Sequence, residues 1–412
     1  MRRTMNLKII RISVLLFSIF IAYLAYATFY SHAIISDKQT GKIIFGYDHT
    51  VGKFYINEYP LTLKCSDGPY VLYKDNSAII TRALSKNEND FRVESNTLTL
   101  SDLYEKGLNV LADSASSFYV SIQREIKSTE STYPMPEKLL AFSDIEGNFY
   151  ALKQLLLCHK VMDEQFNWTF GRGHLVLVGD FMDRGEEVLS YLWLVHRLEQ
   201  LAKIHQGRVH FILGNHEQMN LVGDHRYTAT KYKRLSDALK LSYQDFFGDQ
   251  TELGRWLRSK NVIEKIGTTL FVHGGISKEV AALNLDLDQI NTLARDHLTR
   301  NESELPDDTA QLLDHQTGLL WYRGWVQPYK KEGKLAQEEA NAILRKMNAD
   351  RLVVAHTLVP SVSADYNNKL IRLDVKQPTE KNMGMTQALL VEKEKWYAVN
   401  DNNTKTLLFT ER

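Results

Sequence analysis

The chain has 412 residues, 44% hydrophobic and 24% charged, an ordinary globular usage that excludes global disorder and a collagen-like fibre. Lys and Arg total 50 and Asp and Glu total 50. With no net positive field to hold phosphate backbones, a dedicated nucleic-acid binder is excluded. The cysteines Cys65 and Cys158 are too few for a disulfide-dense scaffold or a cysteine-based zinc finger. Cys158 follows an apolar run, 155–157, which favours buried unpaired thiols over a bridge.

In chain order, Arg2, Arg3, Lys8 and Arg11 precede an uncharged stretch, 12–30. At about 1.5 Å rise per residue it approaches a hydrocarbon core of about 30 Å. The positive flank is expected to stay in the cytoplasm. Residues 1–35 therefore read as a single-pass membrane anchor, with the rest of the chain outside the cytoplasm, in a bacterial periplasm. A cleavable signal is the alternative, since Ala25-Tyr26-Ala27 fits an A-x-A site. Cleavage near Ala27 would release a secreted protein. A buried core helix is a third reading.

Residues 36–127 read as a small β-rich module for packing or as an adaptor. The runs 70–73 and 78–83 are β-prone and are separated by the turn-like Lys74-Asp75-Asn76-Ser77. A short helix is expected to start within 103–110. Residues 128–137, with Ser, Thr, Glu and prolines, read as a linker. The remainder, 138–412, forms the third unit.

That unit opens a repeating pattern. Five short apolar runs, 138–142, 174–178, 209–213, 269–272 and 351–355, each end in a polar or glycine-rich turn. The turns are Ser143-Asp144-Ile145-Glu146-Gly147, Gly179-Asp180-Phe181-Met182-Asp183-Arg184-Gly185, Gly214-Asn215-His216-Glu217, His273-Gly274-Gly275 and His356-Thr357. Helical periodicity lies between them at 149–157, 188–201 and 336–347. Strands alternating with helices predict an α/β layer structure whose ligands gather at the carboxyl ends of strands. Further strands are expected at 369–375, 388–392 and 396–399, enough for two packed sheets. Residues 276–318 are expected to form a cap.

The convergent groups are Asp144, Glu146, Asp180, Asn215, His273 and His356. A metal pair about 3.5–4 Å apart needs a bridging carboxylate and end ligands on both sides, and this set suffices. Singly, an Asp after a strand reads as a helix cap and a His as a hydrogen-bonded core residue. Five strand ends carrying such groups in order weaken that bland reading.

These motifs resemble the calcineurin-like metallophosphoesterases, of the phosphoprotein phosphatase type and its bacterial Shewanella-like branch. The resemblance spans about 138–375 and rests on Gly-Asp-x-x-Asp-Arg-Gly at 179–185, Gly-Asn-His-Glu at 214–217, the later His motifs, and Trp321-Tyr322-Arg323-Gly324. It implies a four-layer α/β fold, with two packed central β-sheets flanked by helices. It implies a phosphomonoesterase with two divalent or trivalent metal ions, manganese first, with iron, magnesium or zinc as alternatives. Asp144 and Glu146 would hold the first ion, Asn215, His273 and His356 the second, and Asp180 both. His216, oriented by Asp183, would be the general acid. Arg184, Arg323 and Asn215 would bind the phosphoryl group, which a metal-bridging hydroxide would attack in line.

The implied substrate is a phosphoprotein, on phosphotyrosine or on phosphoserine and phosphothreonine. Nucleotides or other small phosphoesters are the alternative. The first motif departs from the family's usual Asp-x-His-Gly, because Glu146 stands where His is common. An oxygen-only first site favours manganese, magnesium or iron over zinc. Glu146 could instead cap the following helix, and a site disabled by it would make a phosphoprotein-binding pseudophosphatase. The segment 224–227 and Lys231-Tyr232-Lys233 read first as a solvated helix face and second as basic and aromatic groups facing substrate.

Overall fold

A computed structural model describes Ser18, residues 45–48, 53–56 and 67–411, except 88–89, 113–115, 299, 301–306, 329–332 and 378–384. A hairpin of β1 (Phe45–Asp48) and β2 (Lys53–Ile56) comes first. A three-stranded antiparallel sheet follows, of β3 (Asp67–Lys74), β4 (Ser77–Asn87) and β5 (Asp90–Thr99). The expected turn at 74–77 joins β3 to β4. Thr99 caps helix α1 (Leu100–Lys106), and the hairpin β6 (Leu108–Leu111) and β7 (Ser117–Val120) closes the module.

Two six-stranded sheets form the centre. The first has β9 (Lys138–Phe142), β10 (His174–Val178) and β11 (Arg208–Ile212) in parallel, then antiparallel β17 (Gln387–Glu392), β18 (Lys395–Asn400) and β19 (Lys405–Thr410). The second runs β15 (Ser363–Asp365), β16 (Leu370–Arg372), β14 (Arg351–Val354), β13 (Thr269–Val272), β12 (Ile263–Ile266) and β8 (Thr132–Tyr133). Strand alternation explains why these runs are apolar throughout. Leu139, Ala141, Val176 and Val178 face Ile266, Phe271, Val353 and Ile371 of the other sheet. Leu140, Phe142, Leu175 and Leu177 face the helices. These are α2 (Phe149–Cys158), α3 (Val188–Ile204), α4 (Asn215–Val222), α5 (Thr230–Leu239), α6 (Glu252–Arg258), α7 (Lys278–Ala282), α8 (Leu287–His297), α9 (Asp307–Leu313) and α10 (Gln337–Lys346). The expected cap region contributes α7 to α9.

Helix α3 explains the N-terminal module. It is buried nearly all round, from Val188 and Leu189 through Trp193, Leu194 and Val195 to Ala202, which requires cover on two sides. One side is the first sheet. The other is the module, whose Val71, Ile80, Val110, Phe118 and Val120 join the same apolar core. Trp193 Nε1 donates to Pro69 O (3.0 Å), Ser190 Oγ to Leu111 O (3.1 Å) and Tyr73 OH to Glu252 Oε2 (2.6 Å). Lys231 forms a buried ion pair with Asp67.

Two expectations change. Among the described residues no helix is long and apolar enough to cross a membrane. The anchor reading of 1–35 is corrected accordingly, with its membrane contact through 12–30 and the single-pass topology built on it. Apart from Ser18, those residues lie outside the described ones. Cys158 is free, as expected, but only half-buried, while Cys65 lies outside the described residues.

Candidate active site

The carboxyl ends of β9, β10 and β11 in one sheet and of β13 and β14 in the other meet at one place. The chain turns there through the left-handed region: Asp144 (φ 52°), Glu146 (51°), Asp180 (58°), Asp183 (69°), Arg184 (56°) and His356 (62°) all have positive φ. Non-glycine residues rarely adopt it, and such strain gathers at functional sites. Glycine is required at two contacts. A Cβ on Gly179 would lie 2.5 Å from His273 Nδ1, and one on Gly214 would lie 2.3 Å from Asp180 Oδ1.

Glu217 fixes the turn after β10. Its fully buried carboxylate accepts the backbone N–H groups of Gly214 (2.8 Å), Asp180 (2.9 Å), Phe181 (2.9 Å) and Met182 (3.0 Å). Four amides on one carboxylate hold the loop that aims Asp180 and Asp183. This role was missed from sequence, although Glu217 stands in a quoted motif.

Asp180 is the hub. Its Oδ1 accepts from His216 N (3.0 Å), and its Oδ2 lies 2.9 Å from His273 Nε2. His273 Nδ1 lies 2.8 Å from the carbonyl of Val178, so that nitrogen is the donor. Its Nε2 then faces Asp180 Oδ2 and, at 3.0 Å, Asn215 Oδ1. In the neutral ring the Nε2 lone pair faces two acceptor oxygens, an arrangement that a cation completes. His356 Nε2 and Asp144 Oδ2 are buried with no hydrogen-bond partner, which buried polar atoms seldom tolerate. Ligand atoms of Asp180, His273 and His356 lie within 4.8 Å of one another, as do those of Glu146, Asp180 and His216. Two clusters thus share Asp180, and the donor set fits a pair of metal ions. Burial, with Asp374, Asp180 and Glu146 nearby, pushes the Asp144 carboxyl well above its ordinary range. Bound cations would relieve that crowding of negative charge.

His216 Nδ1 lies 2.7 Å from Asp183 Oδ2, whose Oδ1 accepts from Thr228 Oγ1 (3.1 Å). Although burial opposes it, the carboxylates of Asp180 and Asp183 raise the His216 imidazolium to about 9. Arg184 pairs with the Glu146 carboxylate, and its Nη2 is 3.4 Å from His216 Nε2. Glu146 does not cap helix α2, because Asn148 does so by accepting from Ala151 N (3.0 Å). Arg323 donates to His356 O and, at 3.4 Å, to Thr357 Oγ1. The two arginines therefore stand at separate turns of the cluster. All the expected site residues are brought into this region.

Sequence reasoning also missed Asp374, a buried carboxyl two residues past β16. Its backbone oxygen accepts from Val359 N (2.8 Å), beside the His356 turn. Burial, partly offset by His273, with Asp180 and Glu146 adding to it, raises its carboxyl to about 6. The usable signal was another acid just after a strand, hidden because 369–375 reads as one continuous run.

Residues 137–360 match the calcineurin-like phosphoesterase family. Shewanella-like protein phosphatase 1 of Plasmodium berghei is 30% identical over 254 residues, 60% of this chain and 69% of its own length. Shewanella-like protein phosphatase 2 of Arabidopsis thaliana is 23% identical over 326 residues, 69% of this chain and 82% of its own length. The crystal structure of the cold-active protein-tyrosine phosphatase of a psychrophilic Shewanella species superimposes with a TM-score of 0.72 at 32% identity, covering 84% of this chain and 99% of that one. With the shared pattern running through the strand ends that gather these acids and imidazoles, the chain belongs to the calcineurin-like phosphoesterase family and is a metal-dependent phosphoester hydrolase.

Proposed function

We propose that the chain is a dinuclear-metal protein phosphatase whose preferred substrate is phosphotyrosine. The observation that carries this reading is the pair of cation-seeking clusters sharing Asp180, with the Asp183–His216 pair and Arg184 beside them. Likeness to a protein-tyrosine phosphatase over nearly all of that chain supports the substrate class.

In this reading Asp144 and Glu146 hold one ion, Asn215, His273 and His356 the other, and Asp180 both. Carboxylate oxygens at the first position favour manganese, then iron or magnesium, with zinc last. Bound cations supply positive charge against the phosphoryl oxygens and make water acidic enough to be a nucleophile. The rest belongs to the chain's own groups. Arg184 and Arg323 donate paired hydrogen bonds to phosphoryl oxygens, with Asn215 beside them. Asp183 keeps the His216 ring oriented, so that Nε2–H points at the leaving oxygen. As the oxygen of a water that has lost one proton to solvent bonds phosphorus, the P–O bond to the leaving group breaks, and His216 gives the leaving oxygen its proton. No covalent enzyme intermediate is needed. We also keep the division into a β-rich module (36–127), a linker (128–137) that adds β8 to the second sheet, and a hydrolase domain (138–412), with the module bracing α3.

The test is to strip the purified chain with a chelator and reload it with Mn²⁺, Mg²⁺, Fe²⁺ or Zn²⁺ singly. A phosphotyrosine peptide, its phosphoserine counterpart and diadenosine tetraphosphate are the substrates. Stripping should abolish turnover, and Mn²⁺ should restore it best, fastest on the phosphotyrosine peptide. Turnover of the tetraphosphate alone would replace this reading with a nucleotide phosphoesterase.

A further inference from the structure

His216 Nε2 marks where the leaving-group oxygen sits, so whatever surrounds that atom reads the leaving group. Beside it is Tyr227, whose ring centroid lies 5.2 Å from that of His216 at a 49° tilt. The Arg184 guanidinium lies over the same ring, 5.6 Å from its centroid. Trp321 packs edge-on to His356 at 5.7 Å, beside the ion cluster.

Tyr227 is 45% exposed, yet its backbone is tied down on both sides. Its carbonyl accepts from Arg184 N (3.0 Å), and the next residue, Thr228, donates from Oγ1 to Asp183 Oδ1 (3.1 Å). Thr228 N also bonds His225 O (3.2 Å), and Asp224 N bonds Met219 O (2.8 Å) at the end of α4. An aromatic ring is thus held open to solvent at a fixed distance from the proton donor. The tie runs through Asp183, which orients His216, and Arg184, which binds the phosphoryl group in the proposed function. Arg226, by contrast, is paired with Asp224.

We propose that Tyr227 is a specificity-determining residue: its open face packs against the aryl group of phosphotyrosine, so that the site selects aryl over alkyl phosphomonoesters. The proposal rests on the reading of His216 as the proton donor. Offset or tilted ring pairs of this kind favour an aryl ligand by about 3- to 10-fold beyond simple burial. A serine leaving group has no ring to present and gains nothing from the contact. Tyr227 acts on ground-state and transition-state binding alike, so its loss appears mainly in KM.

The experiment compares wild type with Tyr227→Ala and Tyr227→Phe, each manganese-loaded and checked for an unchanged melting temperature. Substrates are a phosphotyrosine peptide and a phosphoserine peptide of the same flanking sequence. Tyr227→Ala should lower the ratio of kcat/KM for phosphotyrosine over phosphoserine by about 3- to 10-fold, mostly through KM, and Tyr227→Phe should keep the ratio. Equal losses on both peptides would overturn the proposal and make Tyr227 a support for Arg184 and His216. An unchanged ratio would overturn it too. A second readout needs no turnover: calorimetric binding of phenylphosphonate against methylphosphonate. Wild type and Tyr227→Phe should prefer the phenyl ligand, and Tyr227→Ala should lose that preference; a retained preference overturns the proposal. A chain that cleaves neither peptide yet shows this binding pattern would sink the proposed function while leaving the Tyr227 contact standing.

Discussion

The two central sheets carry two buried histidine–carboxylate constellations. Within the strands, His174 Nδ1 lies 3.0 Å from His210 Nε2, and His210 Nδ1 lies 2.6 Å from Glu264 Oε2. The other Glu264 oxygen accepts from Asn261 Nδ2 (2.9 Å), and Arg295 donates to Asn261 Oδ1. Beyond the strand ends lie Asp180, Asp183, His216, His273 and His356. The residue types are the same, and burial is similar. The first set has ordinary strand backbone and passes hydrogen bonds from group to group across the two sheets. The second has left-handed backbone at Asp180, Asp183 and His356, and leaves Asp144 Oδ2 and His356 Nε2 unpartnered. Composition does not separate a structural cluster from a reactive one. Strained backbone and unmet valence at the strand ends do.

Mutation should separate the two sets in opposite ways. His216→Asn should lower kcat on an alkyl phosphate by about 10²- to 10⁴-fold, the usual worth of a general acid. The loss on para-nitrophenyl phosphate should be smaller, because that leaving group needs little protonation. The melting temperature should hold. Equal losses on both esters would show that His216 serves the site without giving up a proton.

Glu264→Leu should do the reverse. It leaves His210 Nδ1 buried and unpaired, while Asn261 Nδ2 keeps its bond to Glu130 O (2.8 Å), at a cost of about 1–3 kcal/mol. The urea midpoint should fall while kcat per folded molecule stays level. A fall in kcat with stability intact would break the comparison, by tying the inner cluster to the chemistry.

The sequence carried the reactive set well because each member follows a short strand and sits in a spaced motif. Local order is enough to put Asp144, Asp180, Asn215, His273 and His356 at strand ends. What was not legible needs contacts distant in sequence. The four amides on Glu217, the approach of Asp374 to the His356 turn and the module's cover over α3 all join separate segments. Strand β5 escaped notice because Asp, Arg, Glu and Asn interrupt its apolar residues, and its side chains are mostly exposed. The segment 224–227 is a loop, not the solvated helix face expected there, and Lys231 and Tyr232 of the same reading are buried, while Tyr227 is 45% exposed. Its nearness to His216 came only with the fold. The helix-cap alternative for Glu146 looked reasonable locally, yet Asn148 occupies that position.

The smallest expected effect is a pH dependence belonging to the inner cluster. Burial first, then His210 and Arg208, lowers the His174 imidazole from its ordinary 6.5 to about 3. Near pH 5 the unfolded chain takes a proton on this residue and the folded chain refuses it. Folding is then opposed by the proton uptake it prevents. The contribution is neutral above about pH 6.5 and becomes a growing penalty as pH falls toward about 3. His174→Gln keeps a polar partner for His210 Nε2 but does not titrate. Its stability should therefore lie slightly below wild type at pH 7.5, and the two curves should converge or cross on acidification toward pH 4.5. Urea midpoints for both chains at pH 7.5, 5.5 and 4.5 check this, with Glu and Asp titrations elsewhere cancelling in the difference. Parallel curves would mean that His174 takes up its proton equally in both states, and that the inner cluster is less sealed from water than its hydrogen bonds indicate.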